Sequence, residues 1–150
     1  MKLIIFDWGR TLYDPEREML YTDTKPTLEC LQSKGYTTAI VTLATKGPEI
    51  IKERLKIIAQ EDLEQYFVSI KFDMTDKDKM YAETLQELEV EPSDVTIVDD
   101  RVIRGIAWGN RHGCTTIWVR QGKFAREFPT AATGEPDHII QSLGSLMTIL

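Results

Sequence analysis

The strongest constraint on this chain is a rhythm. Short β-branched apolar runs recur along it, each followed by polar or acidic residues and then by a longer amphipathic stretch. Residues 2–6 (KLIIF), 37–41 (TTAIV), 67–72 (FVSIKF), 95–98 (VTIV) and 115–119 (TTIWV) read as strands. The first, second and fourth show almost no internal polar alternation, as expected of strands covered on both faces. The segments between them carry helix punctuation. Residues 25–34 have Pro26 near the start and Gly35 beyond the end. Gly47-Pro48 opens a second helix running through IIKERLKIIAQ, and Tyr81, Leu85 and Leu88 share one face of a third, with Pro92 beyond its end. This βαβα alternation predicts an α/β fold: a three-layer α/β/α sandwich around a mostly parallel, Rossmann-like sheet of about five strands with right-handed crossovers. Residues 122–136, rich in Thr, Ala, Gly and Pro, read as a surface loop near the sheet edge, and the tail DHIIQSLGSLMTIL as a short strand at 138–140 followed by a closing helix.

With 150 residues, 42% hydrophobic and 28% charged, the expectation is one domain over residues 1–150 with a single core. A chain of this size buries roughly 68–70% of its unfolded surface, so it needs no disulfide or structural metal to fold. The net charge of −6 and the lack of a Lys/Arg-rich run argue against a general grip on nucleic acid. Cys30 and Cys114 stand far apart, with no CxxC and no His at metal-ligand spacing, so they read as reduced, buried thiols. The apolar stretch before Asp7 is too short for a signal peptide or a membrane span, and the expected setting is cytoplasmic with no membrane partner.

In open α/β sheets the site lies outside the carboxyl ends of the strands. After the first run stand Asp7-Trp8-Gly9-Arg10-Thr11-Leu12, after the second Thr42, before the third helix Lys77 and Lys79, and after the fourth Asp99-Asp100-Arg101. Three carboxylates, a hydroxyl and a lysine therefore share one rim. Clustered carboxylates repel one another unless a hard divalent cation joins them, and Mg²⁺ suits such a sparse oxygen set completed by water and substrate. A carboxylate beside that cation can attack phosphorus or carbon, while Thr42 and a lysine ammonium bind the oxyanions that develop.

Taken in order, these residues resemble the haloacid dehalogenase-like (HAD) hydrolase superfamily. IIFDWGRTLYD matches its first motif at Asp7, Thr11 and Leu12; Thr42 in AIVT matches the second; Lys77, with Lys79 as second candidate, matches the third; TIVDD matches the fourth. The resemblance implies that Asp7 is a nucleophile forming an aspartyl-phosphate, and that Thr42 and Lys77 hold Asp7 and the transferring group. It implies Mg²⁺ bound by Asp7, the Gly9 carbonyl and Asp99, with Asp100 acting through water. Thr11, Arg10 and Trp8, directly after the nucleophile, are the candidate substrate contacts, and the partner is a phosphorylated small molecule or macromolecule. Spacing between the motifs leaves no room for a cap insertion, so the expected site is open.

One departure is specific. Phosphatases of the superfamily carry a second Asp two residues after the nucleophile as general acid/base, and here that position is Gly9. Such a group contributes ~10²–10⁴-fold, so the expectation is reduced turnover biased toward good leaving groups. The alternatives are a non-catalytic relative that binds Mg²⁺ and a phosphorylated ligand, and haloacid-type displacement at carbon. Arg10 and Arg101 read either as anion contacts or as surface ion pairs. Tyr13 is ambiguous between packing and substrate contact, and His112 and His138 read as structural.

Overall fold

The computed structural model describes residues 2–150. Its strands are β1 (Leu3–Phe6), β2 (Tyr13–Asp14), β3 (Met19–Leu20), β4 (Thr37–Leu43), β5 (Phe67–Asp73), β6 (Val95–Asp99), β7 (Thr115–Val119) and β8 (His138–Ile140). The α-helices are α1 (Thr24–Ser33), α2 (Pro48–Gln60), α3 (Lys77–Leu88) and α4 (Ala107–His112). Six strands form one wholly parallel sheet in the order β5-β4-β1-β6-β7-β8, and β2 and β3 make a separate antiparallel ribbon. The chain starts at the centre, winds outward through β4 and β5, then returns to the other side of β1 with β6. That reversal opens a crevice at the carboxyl end of β1.

Period-2 alternation sorts the apolar side chains onto two faces. Ile4, Phe6, Ile40, Val98 and Ile117 join Leu28 and Leu31 of α1 and Ile58 of α2 in one core layer. Leu3, Ile5, Val41 and Ile97 join Met80, Tyr81 and Leu85 of α3 and Trp108 of α4 in the other. The four inner strands β4, β1, β6 and β7 are thus sealed on both sides, which explains their near-continuous apolar runs.

Two expectations change. The tail after β8 is a 3-10 segment, Leu143–Thr148, rather than a closing α-helix. Gly144 and Ser145 weaken so short a helix, and the segment is held instead by buried Leu143 and Leu146 and by the Gly144 amide donating to Asp23 Oδ2 at 2.8 Å. The β2–β3 ribbon has no counterpart in the sequence reading, because two-residue strands carry no periodicity. No helix among the described residues is long and apolar enough to cross a membrane.

Candidate active site

Sheet register builds the rim. Phe6 pairs with Ile40 on one side and with Val98 on the other, so Asp7 and Asp99 leave the sheet level with each other and Thr42 follows close by. The Asp7 amide still donates to the Val98 carbonyl at 3.0 Å, which extends the ladder one residue beyond β1. The chain then winds tightly: the Trp8 carbonyl accepts from the amides of Thr11, Leu12 and Tyr13 at 3.2, 2.9 and 3.1 Å. Arg10 takes the left-handed conformation at φ 61° to complete that turn.

Lys77 is the first residue of α3, whose N-cap Asp76 accepts from the Lys79 amide at 2.9 Å. This start aims the Lys77 ammonium inward, 3.2 Å from Asp7 Oδ1 and 2.8 Å from Asp99 Oδ2. Lys79 points outward, its ammonium 3.8 Å from Glu83 and its side chain 69% exposed. Of the two candidate lysines, then, only Lys77 reaches the carboxylates.

Burial disfavours the charged form of Asp7, yet the Lys77 ammonium, with hydrogen bonds from Thr42, Asp100 and the Trp8 backbone, holds its carboxyl below the ordinary value. Burial likewise opposes charge on Lys77, but Asp7 and Asp99 outweigh it and keep the ammonium protonated well above its usual range. Asp100 is left over. Burial, then the Asp7 and Asp99 carboxylates, push it up to about 10. One ammonium does not neutralise three buried carboxylates.

That imbalance is the test of a metal site, and the residues fit. An oxygen from each of Asp7, Asp99 and Asp100 lies within 4.8 Å of the others, a hard, all-oxygen donor set of the type Mg²⁺ prefers. The last two carboxylates differ in their hydrogen bonding. Asp99 is fully buried, with Oδ2 accepting from Lys77 and from the Gly105 amide at 2.8 Å each and Oδ1 from the Arg101 amide at 3.2 Å. Asp100 borders the cleft, and its side chain contacts the Asp7 and Asp99 carboxylates. The Asp99 oxygens are thus taken up by protein donors, whereas Asp100 borders the cleft.

The cleft above these groups measures about 340 Å³, with Asp7, Gly9, Thr42 and Asp100 among its floor residues and Arg54 and Phe124 among its walls. A Cβ at Gly9 would meet nothing within 4 Å, so the place of the missing Asp is open space. Two of the expected substrate contacts are buried. Trp8 borders the cleft but is only 1% exposed, its ring stacked on Tyr13 with centroids 5.3 Å apart, so it packs beneath the loop. Thr11 is fully buried. Both result from the tight turn, which folds these side chains under itself. Arg10 does line the cleft, though ion-paired to Glu16 at 2.8 Å; Arg101 is paired to Glu127 at 2.8 Å and lies over the Phe124 ring at 3.6 Å.

The loop after β7, read as a surface crossing, instead bends back to the site. Gln121 donates to the Arg10 carbonyl at 2.9 Å, and the Gly122–Phe124 turn brings Lys123 and Phe124 to the cleft wall. His112 Nδ1 lies 2.8 Å from the Trp108 carbonyl, and neither it nor His138 borders the cleft, in keeping with structural roles. Cys30 and Cys114 are unpaired; Cys114 is buried and Cys30 half-buried. Sequence reasoning missed Arg54, Phe124 and Gly105, since it tracked strand ends and these lie elsewhere.

Fold and rim define a class: a doubly wound α/β protein with a lysine-bridged carboxylate cluster at its switch point. The family model described as HAD-hydrolase-like matches residues 77–146. The chain is 28% identical over 130 residues to the glyceraldehyde 3-phosphate phosphatase of Pyrococcus furiosus, covering 84% of this chain and 52% of that protein. It is 26% identical over 133 residues to the Methanopyrus kandleri protein of the same name, covering 87% and 56%. The chain thus spans about half the length of the curated relatives it matches. Its fold also matches the D,D-heptose 1,7-bisphosphate phosphatase of B. bronchiseptica, solved with magnesium and phosphate, at TM-score 0.80 and 16% identity over 99% of this chain and 97% of that one. The chain is thus similar to HAD-like proteins in sequence over residues 77–146 and to a HAD-like phosphatase in its fold.

Proposed function

We propose that the protein is a Mg²⁺-dependent phosphohydrolase that passes a phosphoryl group from substrate to Asp7 and then to water. The observation carrying this reading is the Lys77 ammonium, which touches both Asp7 and Asp99 in a buried cluster that also contains Asp100. Lys77 and the hydrogen bonds on Asp7 keep it ionised, as a nucleophile requires. An Asp7 oxygen bonds to phosphorus as the bond to the leaving oxygen breaks, and that oxygen takes its proton from water. A second water then splits the acyl phosphate, releasing phosphate and restoring the carboxylate, and the proton it gives up neutralises the hydroxide left by the first water. Thr42 and Lys77 hold the phosphoryl oxygens throughout. Mg²⁺ would be held by Asp7, Asp99, Asp100 and the Gly9 carbonyl and would supply charge neutralisation for that group.

The names of the relatives support a phosphorylated small molecule as substrate. We read residues 1–150 as one core with no cap between its motifs: only the β2–β3 ribbon intervenes between β1 and α1. The two free thiols suit a reducing, cytoplasmic setting. A second reading, a weak or inactive relative that binds Mg²⁺ and a phosphorylated ligand, is favoured by the open space at Gly9, where no side chain stands in for the acid.

Turnover of acetyl phosphate and para-nitrophenyl phosphate, with and without Mg²⁺, separates the two. The hydrolase reading expects metal-dependent turnover that Asp7→Asn abolishes. Activity indifferent to Asp7, or none, moves the assignment to the binding protein.

A further inference from the structure

Helix α2 directs its apolar stripe at the sheet, with Ile50, Ile57 and buried Ile58 at helical spacing. Arg54 falls on the same stripe, four residues after Ile50 and four before Ile58. A long basic side chain at such a place normally runs its head out to water. Arg54 does the opposite: Nη1 donates to the Leu43 carbonyl at 3.1 Å and lies 3.4 Å from Thr42 Oγ1, and the residue lines the cleft.

Several other cleft cations are matched. Lys77 pairs with Asp7 and Asp99, Arg10 with Glu16, and Arg101 with Glu127. Arg54 makes no ion pair among the described residues. Both of its hydrogen-bond contacts use Nη1, so Nε and Nη2 keep N–H groups without a protein acceptor among those residues. A half-buried guanidinium lacking a carboxylate carries a desolvation cost that an anion in the cleft would offset. The surroundings suit an anion: the cleft lining holds seven Lys and Arg against four Asp and Glu, in a chain of net charge −6.

Position decides which part of a ligand Arg54 meets. Asp7 is hydrogen-bonded to Thr42, and Thr42 in turn neighbours Arg54, so Arg54 stands one side chain beyond the place assigned to the transferring phosphoryl group. A planar guanidinium fork matches a carboxylate or a second phosphate at that distance.

We propose that Arg54 is a specificity-determining residue and that the substrate is a small phosphomonoester bearing a second anionic group, which Arg54 holds. This rests on the phosphohydrolase reading for which end of the ligand lies at Asp7. The test uses non-hydrolysable probes on the wild-type chain with Mg²⁺: 3-phosphonopropionate, and propylphosphonate, which has the same framework without the carboxylate. Calorimetry should find the first bound about 10- to 100-fold more tightly, the range of one charge-assisted pair. Arg54→Met should erase that preference while changing propylphosphonate binding less than about threefold, and Arg54→Lys should restore part of it by charge alone. Equal weakening of both probes in Arg54→Met would overturn the proposal, since Arg54 would then grip the phosphoryl end. Equal affinity in the wild type, or no binding of either probe, overturns it as well. Because neither probe is cleaved, the comparison decides Arg54 separately from turnover at Asp7, on which the hydrolase reading stands.

Discussion

Gly105 donates its amide to Asp99 Oδ2 at 2.8 Å, and a Cβ at Gly105 would stand 2.5 Å from that same oxygen and 2.6 Å from the Tyr81 hydroxyl. The π-helical turn Val102–Ile106 thus folds so closely over Asp99 that only a residue without a side chain fits. Asp99 is held from above by this amide and from the side by Lys77, and that double hold keeps its carboxylate beside Asp7.

Gly105→Ala should therefore act on the site and not only on stability. Overpacking of this kind costs about 1–3 kcal/mol, and the displaced carboxylate is one of the three in the cluster. Urea unfolding and a Mg²⁺ titration of the same variant should both shift. A variant that binds Mg²⁺ with wild-type affinity would mean that Asp99 does not need this turn.

Lys77→Met should be among the most damaging single changes. It leaves Asp99, fully buried, without its cation, and breaking a buried pair in this way costs about 3–5 kcal/mol. Lys79→Met, on the exposed side of the same helical turn, should change stability by less than about 0.5 kcal/mol. Equal urea midpoints for the two variants would contradict the placement of the lysines.

The metal-free protein should lose stability as pH rises. Asp100 titrates at about 10 when folded, against 3.8 as the ordinary value, so the folded chain holds a proton that the unfolded chain releases. Its contribution is therefore full below about pH 4 and declines progressively toward pH 10. Asp100→Asn, which mimics the protonated form at every pH, should raise the Tm of EDTA-treated protein more at pH 8 than at pH 5. Stabilisation by Mg²⁺ should grow over the same interval, since binding displaces that proton. A Tm difference that is flat or reversed with pH would refute the assignment.

Gly9→Asp should raise turnover of alkyl phosphates by about 10²–10⁴-fold, the usual contribution of a general acid. The site accepts the change without a clash, because a Cβ there meets nothing within 4 Å. Acetyl phosphate, with its better leaving group, should gain less. Steady-state rates on both substrates check this, and no gain on either would show that a missing acid is not the limit on this chain.

The sequence reading placed β7 and β8 to the residue and β1, β4, β5 and β6 to within one or two, since each is a contiguous apolar run with its own punctuation. The rim was legible for the same reason, because its carboxylates and Thr42 stand at the carboxyl ends of those runs. Arg54 left a signal that went unread: an arginine at helical spacing between Ile50 and Ile58, on a stripe otherwise apolar. Gly105 left none, since the need for a missing Cβ arises only when Asp99 and Tyr81 are brought against it.

The sequence by itself determined the α/β class, the run of strands and helices, and the identity of Asp7, Thr42, Asp99 and Asp100 as one rim. Periodicity, caps and breakers act over a few residues and are written locally. Only the tertiary structure decided that Lys77 rather than Lys79 reaches the carboxylates, that Trp8 and Thr11 turn inward, and that Asp99 is bound by protein while Asp100 borders the cleft. Each of these depends on the register of β1 against β4 and β6 and on how tightly the connecting turns wind. Those are relations between segments distant along the chain, and they take definite values only once both faces of the sheet are packed.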